Sequence, residues 1–156
     1  MDSVRIKSVT PQRFASLRTR TTPFEIGAAL SRMLEAVWKQ LGRQPHVTVG
    51  PAIARFHAFD EREIDVEAGY PVLESIELDR PVQLSQLPGG QAATLIVHGS
   101  YAALPEAYAR VEAWMRANGF APDAPPWDIY WVDATQVEAE SDLRTEIVWP
   151  VRPAAS

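Results

Sequence analysis

The sequence predicts an α+β fold: internally duplicated βαββ units forming a largely antiparallel sheet, with two packed helices and a central cleft. Three observations carry this. Residues 66–72, Val-Glu-Ala-Gly-Tyr-Pro-Val, are echoed by residues 145–151, Thr-Glu-Ile-Val-Trp-Pro-Val, so Glu67, Pro71 and Val72 recur as Glu146, Pro150 and Val151 at one constant spacing near half the chain length. Trp38 before Leu41-Gly42 and Trp114 before Asn118-Gly119 recur at nearly that spacing. Strand-like alternation and helix-like periodicity also follow one another in the same order in both halves. Two copies are too few for a solenoid, whose units need several stacked neighbours. The expectation is one closed domain, with repeat one over about residues 12–72, a connector over about 73–90 and repeat two over about 91–151.

Each element has a local reason. Val4 to Val9 alternates apolar and polar residues and reads as a strand, and Phe14 to Arg20 as a second after the Pro11 turn. Thr22-Pro23-Phe24-Glu25 has the form of a capping box, with Thr22 as cap, proline at the first helical position and glutamate at the third. The helix that follows carries Ile26, Leu30, Met33, Leu34, Val37 and Leu41 every three or four positions, a stripe suited to a sheet, and Gly42 is placed to end it. Val47 to Phe59 and Glu63 to Val72 read as strands joined by the Asp60-Glu61-Arg62 turn. Pro81, Pro88 and Gly89-Gly90 mark the connector, which has room for one short strand. In the second half Gln91 to His98 is a strand. Pro105 to Asn118 is a helix with Leu104, Tyr108, Val111 and Met115 on one face, and Trp127 to Val132 pairs with Leu143 to Val151. Arg152 to Ser156 reads as a frayed tail.

Composition narrows the function. At 156 residues and 46% hydrophobic the chain can bury a full core as one domain. With no cysteine, disulfides, zinc–cysteine sites and thiol nucleophiles are excluded, and three histidines argue against a dedicated metal site. No cofactor is implied: Leu87-Pro88-Gly89-Gly90 lacks the lysine and helix start that a phosphate loop needs. A formal charge of −5 works against nonspecific nucleic-acid binding, and Arg18 with Arg20 is no basic patch. No run is long enough to span a membrane, and Met-Asp-Ser-Val-Arg-Ile-Lys lacks the layout of a signal peptide, so a cytoplasmic location is expected.

The chain resembles the GyrI-like small-molecule-binding family, which includes the effector-binding domains of AraC-type and MerR-type multidrug-sensing transcription regulators. The residues that carry the resemblance are Gly50-Pro51, the run Asp65 to Val72, Leu87-Pro88-Gly89-Gly90, His98-Gly99-Ser100-Tyr101 and Leu104-Pro105-Glu106-Ala107-Tyr108. They continue with Trp114, Trp127-Asp128-Ile129-Tyr130, Asp133 and Thr145-Glu146-Ile147 through Pro150-Val151, spanning roughly residues 4–151. Two positions depart from the family pattern: its usual Trp-Glu-x-Tyr is Trp127-Asp128-Ile129-Tyr130 here, and Ala134 follows Asp133 where proline is common.

The resemblance implies a ligand cleft between two halves, with an acidic residue of the last strand among aromatic walls, for bulky, often cationic, hydrophobic molecules. Glu146 is the matching position. A carboxylate beside aromatic faces draws a delocalised cation by charge and by cation–π contact. Glu67, its counterpart in repeat one, is a second candidate, although it continues a stripe of Glu61, Glu63 and Asp65 of the kind that marks a solvated face. Trp127, Tyr130, Trp131, Trp149 and Tyr70 are the candidate walls. Alternation sets Trp127 and Trp131 opposite Asp128 and Tyr130, and Trp149 opposite Glu146, so one set faces helices and the other the ligand. Tyr130 is favoured as the wall residue, then Trp127; Tyr101 is within reach of the cleft. Ser100 reads as a helix cap, since no nucleophile elbow surrounds it. Trp38 and Trp114 read as core.

The leading expectation is a stand-alone binding module for effector sensing or sequestration of toxic compounds. The duplicated fold fills the length, which leaves no helix-turn-helix for direct DNA binding by this chain. A separate protein partner is compatible with this reading. Some members that the resemblance brings in are hydrolases of reactive cyclopropane-bearing natural products, a role in which Glu146 and Tyr130 would be catalytic. A third class, DNA gyrase inhibitor-like proteins, would use a protein-binding surface instead.

Overall fold

The computed structural model describes residues 2–44, 49–74 and 76–155. In chain order the elements among them are β1 (Arg5–Val9), β2 (Gln12–Thr21), α1 (Ile26–Leu41), β3 (Ile53–Phe59), β4 (Ile64–Pro71), β5 (Gln83–Leu87), β6 (Gly90–His98), α2 (Leu104–Ala117), β7 (Phe120–Pro122), β8 (Trp127–Val132) and β9 (Arg144–Pro153). This is a mixed α+β fold with antiparallel pairing inside two compact units. One unit is Pro11–Pro88; the other combines Met1–Thr10 with Gly89–Ser156.

In Pro11–Pro88 the strands lie in the order β5-β2-β4-β3, and α1 covers one face. The sequence stripe accounts for the contact: Met33, Val37 and Leu41 are buried, joined by Ala29, while Ile26, Leu30 and Leu34 flank the line. Val37 and Leu41 meet Ala15, Val72 and Val82. Burying an aliphatic side chain of this size stabilises the fold by about 1.5–3 kcal/mol before entropy is counted. The helix begins later than the capping pattern predicts. Thr22 accepts from the Glu25 amide through both its carbonyl (3.0 Å) and its hydroxyl (3.2 Å), so residues 22–25 close a separate turn and the helix starts at Ile26. Proline suits the second position of such a turn as well as it suits a helix start. Gly42 does follow the helix, but at φ −65°, a conformation open to any residue.

Trp38 is 54% exposed rather than core, because Val37 and Leu41 take the sheet-facing line; its ring lies 5.3 Å from that of Tyr70. The predicted third strand starts at Ile53, later than expected; Val47 lies outside the described residues, and Val49 forms an isolated bridge with Val72. The hairpin turn is as read, with the Asp60 carboxylate accepting from the Arg62 and Glu63 amides. The short connector strand is β5, which pairs with the N-terminal half of β2.

In the other unit the order is β1-β6-β9-β8, with β7 on the far end of β9. Here α2 packs Ala107, Val111 and Met115 on Ala93, Leu95, Ile147 and Trp149, and Tyr108 and Trp149 meet edge to face. Ser100 caps the turn before α2, accepting from the Ala102 amide at 3.2 Å. The expected frayed tail is ordered in part: β9 continues through Pro153 on β7, and the Ala154 amide reaches the Gly119 carbonyl. Three residues ending in proline give β7 too short a pattern to read from sequence. With β7 set aside, both units thus run strand, helix, strand, strand, with the first and third of these strands adjacent and one further strand at the edge. That edge strand comes from the connector in one unit and from the N-terminus in the other.

Candidate functional site

Residues directly opposite in an antiparallel pair share a face. Glu146 on β9 pairs with Ile129 on β8 and Ile96 on β6; Val148 pairs with Trp127 and Thr94. These residues therefore occupy the face of the sheet away from α2. Lys7 joins them, since it pairs with Ala92, which pairs with Pro150. The opposite face carries Thr145, Ile147, Trp149 and Val151, the last three packed with α2.

Glu146 is only 3% exposed, and two side chains hold its carboxylate. Lys7 Nζ lies 2.9 Å from Oε2, and the Trp131 indole Nε1 donates to Oε1 at 3.0 Å. Both are far more open than the group they hold: the Lys7 side chain is 52% exposed and Trp131 is 45% exposed. Trp131 reaches Glu146 through a break in register, because the β8–β9 pairing shifts between Tyr130 and Val132. A bulge leaves one residue unpaired and re-aims its side chain.

The other unit repeats this construction around Glu67. Here too the register shifts in the strand alongside, between Phe56 and Ala58, and the residue at the shift, His57, meets Glu67 Oε1 at 2.8 Å. Ser85 on the edge strand donates to Oε2, where Lys7 does so for Glu146, and Ser16 donates to the same oxygen at 2.6 Å. Glu67 is therefore buried and satisfied; the solvated-face reading of its stripe fails at this residue, although Glu61 and Glu63 are exposed. Burial alone would push its pKa up. Hydrogen bonds from Ser16, Ser85 and His57, with the charge of His57, outweigh burial and hold it below the usual carboxylate value.

Alternation along β8 is as the sequence predicts, and the structure assigns its two faces. Trp127, Ile129 and, through the bulge, Trp131 lie with Glu146. Asp128 and Tyr130 face α2, pairing with Ile147 and Thr145. There Tyr108 donates to Asp128 Oδ1 at 2.5 Å and Tyr130 to Oδ2 at 3.2 Å. Burial raises the Asp128 pKa to about 7, against the partial opposition of these two hydrogen bonds. Burial, then the neighbouring Asp128 charge, puts both tyrosines well above their ordinary value. Tyr101 stands edge-on to Tyr130 at 5.8 Å, so it belongs with this cluster.

Of the predicted residues, the structure therefore brings Trp127 onto the face of Glu146. Tyr130 and Tyr101 sit on the other side of the strand pair, and Glu67 lies in the other unit with its own partners. Sequence reasoning missed Lys7, His57, the bulge that turns the candidate wall residue Trp131 onto Glu146, and the Asp128–Tyr108 contact. A signal for the last was present: an acid between Trp127 and Tyr130 in an apolar strand needs a donor, and Tyr108 is the polar-tipped residue on the apolar line of α2.

The sequence profile of the GyrI-like small molecule binding domain matches residues 2–152, and the chain belongs to that family. Among solved structures it is similar to the C-terminal domain of EcmrR, at 20% identity and a TM-score of 0.88 over 99% of both chains. In the EcmrR–DNA complex the same likeness covers 99% of this chain and 58% of the EcmrR chain, with a TM-score of 0.86. It is also similar to a hydrolase encoded by lin2189 from Listeria innocua (13% identity, TM-score 0.68, 96% and 92% of the two chains). A third similarity is to SAV2435 bound to tetraphenylphosphonium (12% identity, TM-score 0.64, 96% and 94%). No curated protein matches significantly by sequence. At these identities the likeness to the solved structures shows a shared fold.

Proposed function

We propose that this small-molecule-binding domain takes a bulky hydrophobic cation on the Glu146 face, for sensing or sequestration. One observation carries the reading: a buried carboxylate whose only side-chain hydrogen-bond partners among the described residues are two half-exposed groups, one of them an aromatic ring. Moving those covers aside opens a negative charge in a low-dielectric setting. Attraction to a cation is strong there, and a weakly hydrated cation loses little by entering. Trp131 supplies a face for cation–π contact, and Trp127 forms part of the apolar floor. Glu67 is held by short neutral donors as well as His57, and we assign it to holding its sheet together.

The hydrolytic alternative needs Glu146 and Tyr130 at one substrate. They lie on opposite faces of β8 and β9, and this placement favours binding over hydrolysis.

The test is a thermal-shift titration with tetraphenylphosphonium and neutral polycyclic compounds on wild type and Glu146→Gln, followed by mass spectrometry of each compound. A ligand that binds only the native state raises stability by mass action. Stabilisation of wild type by the cation, reduced in Glu146→Gln, with the compound recovered intact, is the expected result. Equal stabilisation of both proteins, or none in wild type, would overturn the assignment, and chemical conversion would restore the hydrolase.

A further inference from the structure

We infer that Lys7 is an internal competitor for cationic ligands, which sets what kind of cation the Glu146 face can accept; this rests on the reading just given. The observation is the unequal construction of the two equivalent carboxylates. At the edge-strand position Glu67 has Ser85, a short neutral donor, and Glu146 has Lys7, a full positive charge on a flexible chain. Ser16 adds a further buried donor to Glu67, whereas the corresponding Thr94 turns its hydroxyl to the Arg5 carbonyl. Glu146 is thus neutralised by a charged partner that can leave. Lys7 springs from β1, the edge strand of its unit, and its side chain is half-exposed, so the flexible stem can swing the ammonium into water.

Selectivity follows from this arrangement. A small amine offers Glu146 only what Lys7 already supplies from within the chain, at the high effective concentration of a tethered group. Such a ligand cannot compete. A delocalised or fully substituted cation brings apolar surface as well as charge, and it can rest on Trp131 while Lys7 returns to solvent. The site therefore excludes simple alkylammonium ions and admits lipophilic phosphonium, quaternary ammonium or aromatic cations. A neutral ligand of the same shape leaves the ion pair in place and gains nothing from removal of Lys7.

The experiment titrates tetraphenylphosphonium, butylammonium and neutral triphenylphosphine oxide into wild type, Lys7→Met, Lys7→Ser and Lys7→Arg, reading tryptophan fluorescence and calorimetry. Removing the charge in Lys7→Met and Lys7→Ser should tighten phosphonium binding by about three- to tenfold, the range a partly exposed ion pair supports. Lys7→Arg should bind like wild type, butylammonium should gain detectable binding only where the charge is gone, and the phosphine oxide should be unchanged. A second measurement needs no variant: acylation of the Lys7 amine, read by peptide mass spectrometry against the surface Lys39, should rise when phosphonium saturates the wild type. Equal phosphonium affinity in all four proteins with unchanged Lys7 labelling, or weaker binding in Lys7→Met, would overturn the inference and leave the proposed function standing. No phosphonium binding in any protein would overturn both.

Discussion

Replacing Asp128 with asparagine should remove most of a pH dependence of stability that this one side chain builds into the fold. Its carboxyl is fully enclosed with Tyr108 and Tyr130, and burial lifts its pKa from 3.8 to about 7. A raised pKa means that the folded protein holds the proton longer than the unfolded chain does. The stabilisation is therefore complete below about pH 4 and is lost as pH rises through about 7. The gap of about three units corresponds to roughly 4 kcal/mol over that window, or about 1.4 kcal/mol for each pH unit inside it.

The assay is urea unfolding of wild type and Asp128→Asn at about pH 5, 6, 7 and 8. Other groups, Glu67 among them, titrate in both proteins and cancel in the difference. The asparagine amide stays neutral, and each tyrosine hydroxyl can donate to its oxygen or turn to accept from its nitrogen. The variant should gain on wild type by roughly 3 kcal/mol between pH 5 and 8. A difference that stays flat, or wild type gaining on the variant as pH rises, would refute the reasoning about burial.

Three further outcomes are expected. Tyr108→Phe removes the 2.5 Å hydrogen bond that partly opposes burial, so the pH window of the Asp128 effect should move upward, as urea unfolding across the same series will show. Ser16→Ala takes one donor from buried Glu67 and should cost about 1–2 kcal/mol at neutral pH. Because the depressed Glu67 pKa contributes stability that is lost as pH falls, its acid-unfolding midpoint should also rise, measurable by circular dichroism. Gly69→Ala would place a Cβ 1.7 Å from the Ala15 carbonyl oxygen of the neighbouring strand. Since that neighbour is backbone, the strands must part, and the loss should be about 3 kcal/mol or more in chemical denaturation.

What the sequence made legible follows from the range over which each signal acts. The recurrence of Glu67-x-x-x-Pro71-Val72 as Glu146-x-x-x-Pro150-Val151 marks the two strands that hold the candidate carboxylates, and period-two and period-3.6 patterns mark nearly all the others, because these depend on residues a few positions apart. The same alternation correctly set Trp127 and Trp131 against Asp128 and Tyr130. It could not say which set meets α2, since that depends on how strand and helix come together in three dimensions. Tyr130, favoured as a wall residue, lies on the α2 side with Asp128, away from Glu146.

Lys7 and Glu146 illustrate the same limit more sharply. They lie at opposite ends of the chain, and they meet only because β1 joins β6 and β6 joins β9. No local pattern encodes an edge strand's choice of partner. The bulges at His57 and Trp131 are equally silent in sequence, yet each turns a ring nitrogen onto its unit's carboxylate. Glu67 and Glu146 share that ring contact and differ in the edge partner, Ser85 against Lys7, and in the Ser16 donor that reaches Glu67. On the proposed function, a serine at the edge keeps a carboxylate as structure, and a lysine there leaves a charge that a suitable cation can claim.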